Sequence, residues 1–500
     1  MDRESGFVIP YLLLKLIVAT IISTLASGSL SAQQAGWQPE VRLTSNDAVS
    51  FTAPNNAKWL AVDLVGNLHV VWLDERDKNF EIYHKMRAGG LWQPDERITS
   101  DPAYSARPNL AVDASGWLHL AWNDERDGNK EIYHNNWLGA WDTDQRVTVT
   151  AGESFGSALA AEEDTVHLVY MEEISGALQI LYRAFKNSAW TEPETLTNVA
   201  TGNRMVPAID IGPDASLHVA WWDTREDTLI GKIYYRKRSG GVWLDEELVT
   251  DPANKAMRPS IAVDDSGFVH VVWIDARGSF EQIRYRRRGA AGWENEIALT
   301  NEEATHYHPS IDAAGGEAVL AYWKSTDAGL NSEIYFRRRI AGAWTAALRI
   351  SNAAGRSELP CLIAGPNRNL HLAWVDSRDG NQEIYYREYF DPANGTGGGG
   401  DDAPPPAPRV ALAFTSRPNP FGSSTRFDLS VPEACVASIS IYDVTGRRVN
   451  DLLRRFVPRG VLTVAWDGRD AVGRPVAPGV YFAVGRAGKA RIARTITLLR

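Results

Sequence analysis

The chain has 500 residues, of which 44% are hydrophobic and 10% aromatic, and its net charge is −10. Such a length predicts at least two domains. Residues 409–500 hold 15 basic and 6 acidic residues, a balance of +9, so residues 1–408 carry −19. An acidic region of this size argues against nucleic acid as a partner, because binding to nucleic acid depends on cations that neutralise phosphates.

The N-terminus is typical of an exported protein. An apolar run, Tyr11–Ala26, is interrupted only by Lys15, and small residues follow up to Ala32. This resembles a secretory signal peptide, so we predict that residues 1–32 are removed and that the mature protein is secreted or at a cell surface, without a transmembrane segment. An uncleaved membrane anchor is the alternative, but the run is short for a bilayer span.

Residues 37–390 repeat one pattern seven times. Each copy opens with a tryptophan, at intervals of 49 to 55 residues: Trp37, Trp92, Trp141, Trp190, Trp243, Trp293 and Trp344. After this short strand come a loop that usually ends in proline and three more strands, as in Ala111–His134. Four strands per period of about 50 residues are typical of a β-propeller. We therefore predict an all-β chain with a seven-bladed propeller over residues 37–390.

The order of strands at the two ends predicts how the ring closes. The repeat region begins with a Trp-led strand and ends after a group of three strands. The first strand, Trp37–Thr44, is therefore expected to complete the last blade, which would leave no exposed sheet edge.

Residues that recur in most copies are predicted to be structural, because a single active site would break the rotational symmetry. Five copies share a strand tryptophan, at Trp72, Trp122, Trp221, Trp273 and Trp374. The same five carry an Asp-x-Arg pair, at Asp74/Arg76, Asp124/Arg126, Asp223/Arg225, Asp275/Arg277 and Asp376/Arg378. We expect the tryptophans to hold the fold and the pairs to form a ring of ion pairs that ties blades or turns together. The repeat histidines, such as His119, are expected to hydrogen-bond within the sheets.

Copies that depart from the pattern supply the ligand-binding candidates. Copy three has Glu172-Glu173 in place of Asp-x-Arg, and copy six has Lys324-Ser325-Thr326 with Thr305–His308 before a proline. Residues that precede the loop proline are predicted to surround the mouth of the central channel, on the face of the Asp-x-Arg turns. The candidates are Arg107, Arg204, Arg258, His306, Tyr307, His308, Glu172 and Glu173. Such a mouth could bind an anionic or sugar ligand; the alternative is that these are solvated loops of degenerate blades.

Neither a catalytic residue nor a cofactor is assigned from the sequence. His306-x-His308 lacks a third metal ligand. The Asp-Gly-Asn turns, Asp127–Asn129 and Asp379–Asn381, leave a structural calcium ion open, although the alternating aspartates of strong calcium loops are absent.

The rest of the chain reads as a linker and a second domain. Residues 391–408, DPANGTGGGGDDAPPPAP, are rich in glycine and then proline, as linkers are. About seven predicted strands in residues 409–500 indicate an Ig-like β-sandwich. The motifs RPNPF from Arg417, IYDVTGRRV from Ile441 and WDGRDAVGRPVAPGVYF from Trp466 resemble the Ig-like domain of flagellar hook-capping proteins and of type IX secretion cargo. The resemblance implies a sorting or attachment domain, the secretion machinery as a partner, and a bacterial cell surface as a destination.

The propeller resembles sialidase-like and BNR-type repeat proteins in its Asp-x-x-Gly turns and Trp-rich strands. Sialidases have six blades, an arginine triad, a tyrosine–glutamate pair and an acid aspartate. Here the blade count differs, the Ser-x-Asp-x-Gly-x-Thr-Trp box is absent, and Arg107, Arg204 and Arg258 could form a triad without an identifiable nucleophile.

Three functions follow from these observations. The first is a secreted or cell-surface binding protein whose propeller recognises a glycan or protein ligand and whose C-terminal domain directs export or attachment. The second is an extracellular sialidase-like glycoside hydrolase or lyase, which would need paired carboxylates about 5–10 Å apart at the mouth, with Glu172 or Glu173 as the asymmetric acids. The third is an envelope scaffold, which would have no concave site.

Overall fold

The computed structural model describes residues 36–499, apart from 53–56, 65, 198–200, 227–230, 252–254, 327–329, 366–367, 392–413, 432–434, 458–459 and 488–489. The predicted signal peptide, and the predicted linker after Asp391, lie outside the described residues. Every regular element among the described residues is a β-strand, in agreement with the predicted all-β class. A helix with the length and apolarity to span a membrane is not found in this part of the chain.

Between residues 36 and 391, the described strands form seven antiparallel sheets, called sheet 1 to sheet 7 in chain order. Each has an inner, a second, a third and an outer strand. The inner strands are Ser50–Phe51 with Leu60–Val62, Ser105–Val112, Ser154–Glu162, Arg204–Ile211, Ala256–Val263, His306–Ala314 and Ser357–Ala364. The second strands are Leu68–Asp74, Leu118–Asp124, Thr165–Ile174, Leu217–Asp223, Val269–Asp275, Glu317–Thr326 and Leu370–Asp376.

The third strands are Glu81–Ala88, Glu131–Trp137, Ala177–Lys186, Lys232–Ser239, Gln282–Gly289, Asn331–Ile340 and Glu383–Phe390. The outer strands of sheets 1 to 6 are Leu91–Trp92 with Glu96–Arg97, Gln145–Arg146, Ala189–Trp190 with Glu194–Thr195, Val242–Trp243 with Glu247–Leu248, Gly292–Trp293 with Ile297–Ala298, and Ala343–Trp344 with Leu348–Arg349. The outer strands are short segments of two residues, and in sheets 1 and 3 to 6 the first segment ends at the repeat tryptophan.

The sheets follow one another around a common centre. Each inner strand contacts the inner strand of the next sheet, and that of sheet 7 contacts that of sheet 1. The outer strand of sheet 7 comes from the start of the chain, as Gly36–Trp37 and Val41–Arg42. Gly36 pairs with Phe390 and Val41 with Tyr386. The first strand therefore lies in the last sheet of the series.

The second strands are buried on both sides, which explains their nearly continuous apolar sequence. All seven residues of Leu118–Asp124 are buried, because neighbouring sheets cover both faces. The strand tryptophans are fully enclosed at their predicted positions: Trp72, Trp122, Trp221, Trp273 and Trp374. Truncating one such side chain to alanine costs about 3–5 kcal/mol. The repeat histidines hydrogen-bond within their sheets as predicted; for example, His218 Nδ1 lies 2.6 Å from the Tyr235 hydroxyl.

Residues 414–499 form two further antiparallel sheets around one hydrophobic core. The first contains Phe414–Arg417, Thr425–Val431 and Gly460–Trp466, and the second contains Arg448–Val457, Cys435–Asp443, Gly479–Ala487 and Ala490–Leu498. Phe427, Ile439 and Trp466 are among the side chains buried between them. This part of the chain is called the C-terminal domain below.

The strand directions define two faces of the ring. In sheet 2, Ser105 at the start of the inner strand pairs with Asp124 at the end of the second strand, and Val112 pairs with Leu118 at the other end. The front face carries the starts of the inner strands and the Asp-x-Arg turns. The rear face carries the turns between inner and second strands, such as Asp113–Gly116.

Candidate functional site

The Asp-x-Arg pairs on the front face are internal to their turns. The buried Asp124 carboxylate accepts bonds from the Ser105 hydroxyl at 3.1 Å, Trp122 Nε1 at 2.8 Å, and Arg126 N, Nε and Nη2 at 3.0, 2.8 and 2.6 Å. The Arg126 guanidinium lies over the Tyr133 ring, 4.4 Å from its centroid. Burial raises the pKa of Asp124, but the bonds from Arg126 and Trp122 outweigh it and hold that pKa below its ordinary value. The pair thus fixes its own turn, and Arg126 Nη1 also donates to Asp144 at 3.0 Å, which ties the turn to the outer part of the same sheet.

The other repeats vary this arrangement. Asp74 and Asp376 accept the same tryptophan and arginine bonds as Asp124, and Asp223 pairs with Arg225 in sheet 4. In sheet 5, Arg284 takes the place of the tyrosine and donates to Asp275 at 2.8 Å, beside Arg277. In all five pairs the aspartate is buried and bonds to the arginine of its own turn. Removing one arginine therefore leaves a buried carboxylate without its counter-ion. This lowers the free energy of unfolding more than the loss of a surface ion pair does.

Sheet 3 builds the same position with a glutamate. Glu172 pairs in register with Ser154, just as Asp124 pairs with Ser105, and Ser154 Oγ lies 3.5 Å from its carboxylate. Burial, and then the charge of Glu131, raise the pKa of Glu172. Glu131 is fully enclosed in sheet 2. Glu172 therefore occupies the position of the repeat aspartate, and Glu173, the next residue, is exposed near the end of the same strand. Neither fits the role of a channel-mouth acid of a glycoside hydrolase.

A β-bulge recurs near the front end of the inner strands. The strand register shifts there in sheets 2 to 7. One residue per bulge has a positive φ, and in five of these sheets it is a non-glycine residue before proline. These residues are Arg107 (55°), Val206 (52°), Arg258 (51°), His308 (45°) and Leu359 (52°), with Gly156 (63°) in sheet 3. We call these six the mouth residues. A bulge re-aims a side chain relative to the regular strand, and bulky residues rarely adopt this conformation.

Two of the mouth residues are the arginines Arg107 and Arg258. Burial lowers the pKa of Arg107; Tyr104 opposes this effect, and the positive charge of Arg258 adds to it. The guanidinium lies over the Phe155 ring, 5.6 Å from its centroid. Among the described residues, no carboxylate forms an ion pair with Arg107. A mostly buried guanidinium without a counter-ion, near a second cation, favours the binding of an anion.

A third mouth residue, His308, is held in one neutral form. Trp323 Nε1 donates to His308 Nδ1 at 3.0 Å. Burial, and then the charge of Arg258, lower the pKa of His308 to about 3, so the ring is neutral at physiological pH. Since Nδ1 accepts a bond, Nε2 must carry the proton. Nε2 is buried and has no partner among the described residues. A buried donor of this kind is normally satisfied by water or a ligand.

Two sequence candidates lie elsewhere. Arg204 is fully enclosed, and its guanidinium donates to the carbonyls of Thr201 and Gly202 at 2.7 and 3.0 Å and lies 3.4 Å from Asp223. It precedes the mouth residue of sheet 4, Val206, by two positions. The expected third arginine of a triad is thus replaced by a valine, and Arg204 is structural.

His306 is also buried, in register with Lys324 and beside Tyr322. Burial lowers its pKa to about 4. Among the described residues, no group of three or more His, Cys, Asp or Glu side chains is placed to hold an ion. The two Asp-Gly-Asn turns use their aspartates as acceptors for Tyr133 and Tyr385.

A groove of about 740 Å³ opens beside the mouth at sheet 6. It lies where Lys324-Ser325-Thr326 replaces Asp-x-Arg. Lys324 Nζ lies 5.5 Å from the centroid of the Tyr335 ring, whereas the turn arginine covers the tyrosine in sheets 1, 2, 4 and 7. Its lining includes Trp323, Phe280, Lys324, Arg356, Glu302 and Glu358. Trp323 connects it with the mouth through His308, and Tyr307, whose ring is 5.7 Å from that of Trp323, lies under Arg258.

Two contributors were missed from the sequence. Trp323 follows the position of the buried strand tryptophan, where the other sheets hold Leu73, Asn123, Met171, Trp222, Ile274 and Val375. Phe155 precedes the mouth residue of sheet 3. The signal that could have found Trp323 is its aromatic side chain at a position that is otherwise variable, in the one copy that also has a histidine before the loop proline.

Comparison with known proteins supports the fold alone. No protein-family model and no curated protein matches the sequence. Solved structures do match. An ulvan lyase described as a new family of polysaccharide lyase, PL25, is 10% identical, with 70% of this chain and 95% of the lyase covered at a TM-score of 0.52. A second polysaccharide lyase is 9% identical, with 71% and 99% covered at 0.51.

An α-L-arabinanase of Penicillium chrysogenum is 10% identical, with 72% and 100% covered at a TM-score of 0.43. The matches thus include glycan-active proteins of propeller type. At such low identity they establish a propeller-like all-β fold and leave the activity open.

Proposed function

We propose that residues 36–391 form a seven-bladed propeller, closed by the N-terminal strand, that binds an anionic glycan at its front face. The single observation that carries this proposal is the set of donors at the mouth. Arg107 has no carboxylate partner among the described residues, and His308 presents a buried N–H without an acceptor. Both respond to the charge of Arg258. A carboxylate or sulfate group supplies the acceptors and negative charge that this arrangement lacks.

The groove at sheet 6 accounts for the sugar part of the ligand. Aromatic rings offer apolar surface to sugar rings, and the mixed charges of Lys324, Arg356, Glu302 and Glu358 offer hydrogen bonds to hydroxyls. Binding pockets typically combine aromatic walls with a few placed polar groups. Trp323 joins the groove to His308. A single glycan chain can therefore place an anionic sugar unit at the mouth and a neighbouring sugar unit in the groove.

The test is a binding screen of the full chain against neutral, carboxylated and sulfated polysaccharides. The expected result is binding of charged glycans only, weakened about tenfold or more by Arg107→Ala, as expected for a lost charge-assisted contact of about 1.5–3 kcal/mol. Arg107→Lys keeps the positive charge and should retain part of the glycan affinity. Arg474→Ala, an exposed arginine of the C-terminal domain, is the matched control. Equal binding of neutral and charged glycans, or no effect of Arg107→Ala, would contradict the proposal.

A second candidate function is cleavage of such a glycan, favoured by the fold shared with two polysaccharide lyases. The hydrolase version with Glu172 and Glu173 is disfavoured by the positions of these side chains. Incubation of the bound polysaccharide with the full chain separates the alternatives: new reducing ends with an ultraviolet-absorbing double bond indicate a lyase, and reducing ends alone a hydrolase. An unchanged chain length leaves a binding protein.

The remaining assignments are carried by sequence motifs. We propose that residues 1–32 are a signal peptide, 391–408 a linker, and 409–500 an Ig-like sorting or attachment domain that brings the protein to the bacterial surface or medium. Replacing residues 414–500 by a stop codon should leave the protein inside the cell envelope if this domain directs export. A structural calcium ion also stays a prediction, which calcium-dependent thermal stability would test.

A further inference from the structure

The rear face of the ring carries contacts to the C-terminal domain that the proposed function does not use. Arg491 Nη1 donates to the Asp113 carbonyl at 3.0 Å. Arg448 approaches Asp164, and Arg486 approaches Glu163, each at 3.9 Å. All the propeller partners lie in the turns between inner and second strands of sheets 2 and 3. Three arginines of one domain therefore meet one edge of the other.

Shape complementarity at this edge depends on a glycine. Gly446 has φ of +77°, and a Cβ atom there would lie 2.2 Å from Trp117 Nε1. Only a residue without a side chain lets the turn of the C-terminal domain approach the indole this closely. Trp117 is itself specific to sheet 2, because the corresponding positions of the other sheets hold Asn67, Thr165, Ser216, Phe268, Glu317 and Asn369.

The turn before Trp117 is also more buried than the corresponding turns of other sheets. Residues 114–116 are buried, whereas the corresponding turn residues 214–215, 265–267 and 315–316 are exposed. Charge points in the same direction, since residues 409–500 carry +9 and residues 1–408 carry −19. A basic domain thus covers the turns of an acidic ring.

Some hydrogen-bond donors at the contact between the C-terminal domain and the rear face lack acceptors in the described part of the chain. Burial, and then the charge of Arg486, lower the pKa of Arg491 to about 9, although Asp113 opposes this shift. Arg491 Nε and Nη2 are buried without partners among the described residues. Burying a cation with unmet hydrogen bonds opposes docking, so long-range charge attraction and the Trp117 contact must offset it.

We propose that the rear-face turns of sheets 2 and 3 are a docking surface for the chain's own C-terminal domain, and that this docking is reversible and sensitive to salt. In the docked state, the front mouth faces away from the C-terminal domain. A ligand at the mouth and a surface attachment through the C-terminal domain can then coexist on one molecule. The inference is independent of what the mouth binds.

Charge reversal with rescue tests the proposal. In the full chain, Glu163→Lys with Asp164→Lys should undock the C-terminal domain, and so should Arg448→Glu with Arg486→Glu. Combining the four changes should restore docking. Small-angle X-ray scattering measures the radius of gyration. It should be larger than that of wild type for each charge-reversed pair alone and return to the wild-type value for the combined variant. Wild type should expand between 0.1 M and 1 M salt, because the screening length falls from about 10 Å to about 3 Å.

Unchanged thermal unfolding of the variants excludes loss of fold as the cause of any expansion. A radius of gyration that neither charge-reversed pair alters, or that the combined variant fails to restore, would overturn the proposal. Glycan binding at the front face serves as a separate readout. It should be the same in all variants, so a failure of the glycan proposal does not affect this result.

Discussion

Trp323 Nε1 donates a 3.0 Å hydrogen bond to His308 Nδ1, and this single bond sets which histidine nitrogen carries a proton at the front mouth. The first prediction follows from it. Trp323→Phe removes the donor, so the imidazole no longer has a fixed tautomer, and the proposed ligand acceptor loses a preset partner. A hydrogen bond worth about 1 kcal/mol corresponds to roughly fivefold weaker glycan binding, measurable by calorimetry.

Trp222→Phe is the matched control for that variant. Trp222 occupies the corresponding position of sheet 4, and its indole N–H has no partner among the described residues. The Trp222→Phe variant should therefore bind the glycan with the same affinity as wild type. Equal losses in both variants would mean that bulk aromatic packing, and not the histidine tautomer, governs the site.

The second prediction concerns the buried carboxylate of Asp124. Arg126→Met removes both guanidinium donors, Nε and Nη2, and leaves the Asp124 charge enclosed with the backbone N–H of residue 126 still bound, so the free energy of unfolding should fall by about 3 kcal/mol in chemical denaturation. Arg474→Met breaks an exposed pair with Asp470 and should change it by less than about 0.5 kcal/mol. If both variants lose the same small amount, the turn network is not a source of stability.

The third prediction is a dependence of stability on pH. The pKa of His306 is about 4 in the folded protein because of burial, against about 6.5 in the unfolded chain. Between pH 4 and pH 6.5 the unfolded state binds more protons than the folded state. The contribution of His306 to the free energy of unfolding is therefore fully present above pH 6.5 and falls as the pH drops towards 4. His218 and His371, also with pKa values of about 4, add to this loss.

His306→Phe isolates one contribution. At about 1.4 kcal/mol per pH unit, the loss of stability between pH 7.5 and pH 5 should be about 2 kcal/mol smaller in this variant than in wild type. Urea denaturation at both pH values measures the difference. A variant that loses as much stability as wild type over this range would show that His306 is protonated in the folded state.

The fourth prediction addresses the pairing of the first strand with sheet 7. Deleting residues 36–44 exposes the edge Glu383–Phe390 and leaves the buried Glu383 without the hydroxyl of Thr44. We expect a lower melting temperature and association of the protein in size-exclusion chromatography, because open edges pair with other chains. Thr44→Ser keeps the hydroxyl and should behave as wild type. A monomeric deletion variant of unchanged stability would argue against closure by this strand.

Repetition made most of the fold predictable. One copy, such as Ala111–His134, supplies the strand order, and six further copies exclude chance. The strand tryptophans and the Asp-x-Arg turns are predicted to be structural because both recur, and the tryptophans and the aspartates are buried. What repetition could not reveal was the bulge: it shifts the register by a residue, so that Arg107 and Arg258 project at the mouth while Arg204, two positions earlier in its own copy, points into the sheet. Spacing alone does not distinguish these orientations.

The two copies that depart from the repeat differ in what their exceptions do. Copy six supplies the mouth residue His308, and its Lys324 lines the groove. Copy three looked equally unusual, yet Glu172 simply reaches Ser154 with a longer side chain than aspartate. A substitution that preserves a hydrogen bond cannot be separated from one that creates a site until the partner is known. Trp323 was overlooked because an apolar residue in a buried strand needs no further explanation.

The pairing of the chain's first strand with its last sheet imposes an order of events during folding. Ile384 N donates to Thr44 Oγ1 at 2.8 Å across 340 residues of sequence. That bond cannot form before the third strand of sheet 7 has been synthesised, so the first described strand has no partner in sheet 7 until then. Loop closure over such a distance is entropically demanding, and contacts of this range slow folding. Pairing within sheet 7 therefore requires the two ends of the repeat region to be present at the same time.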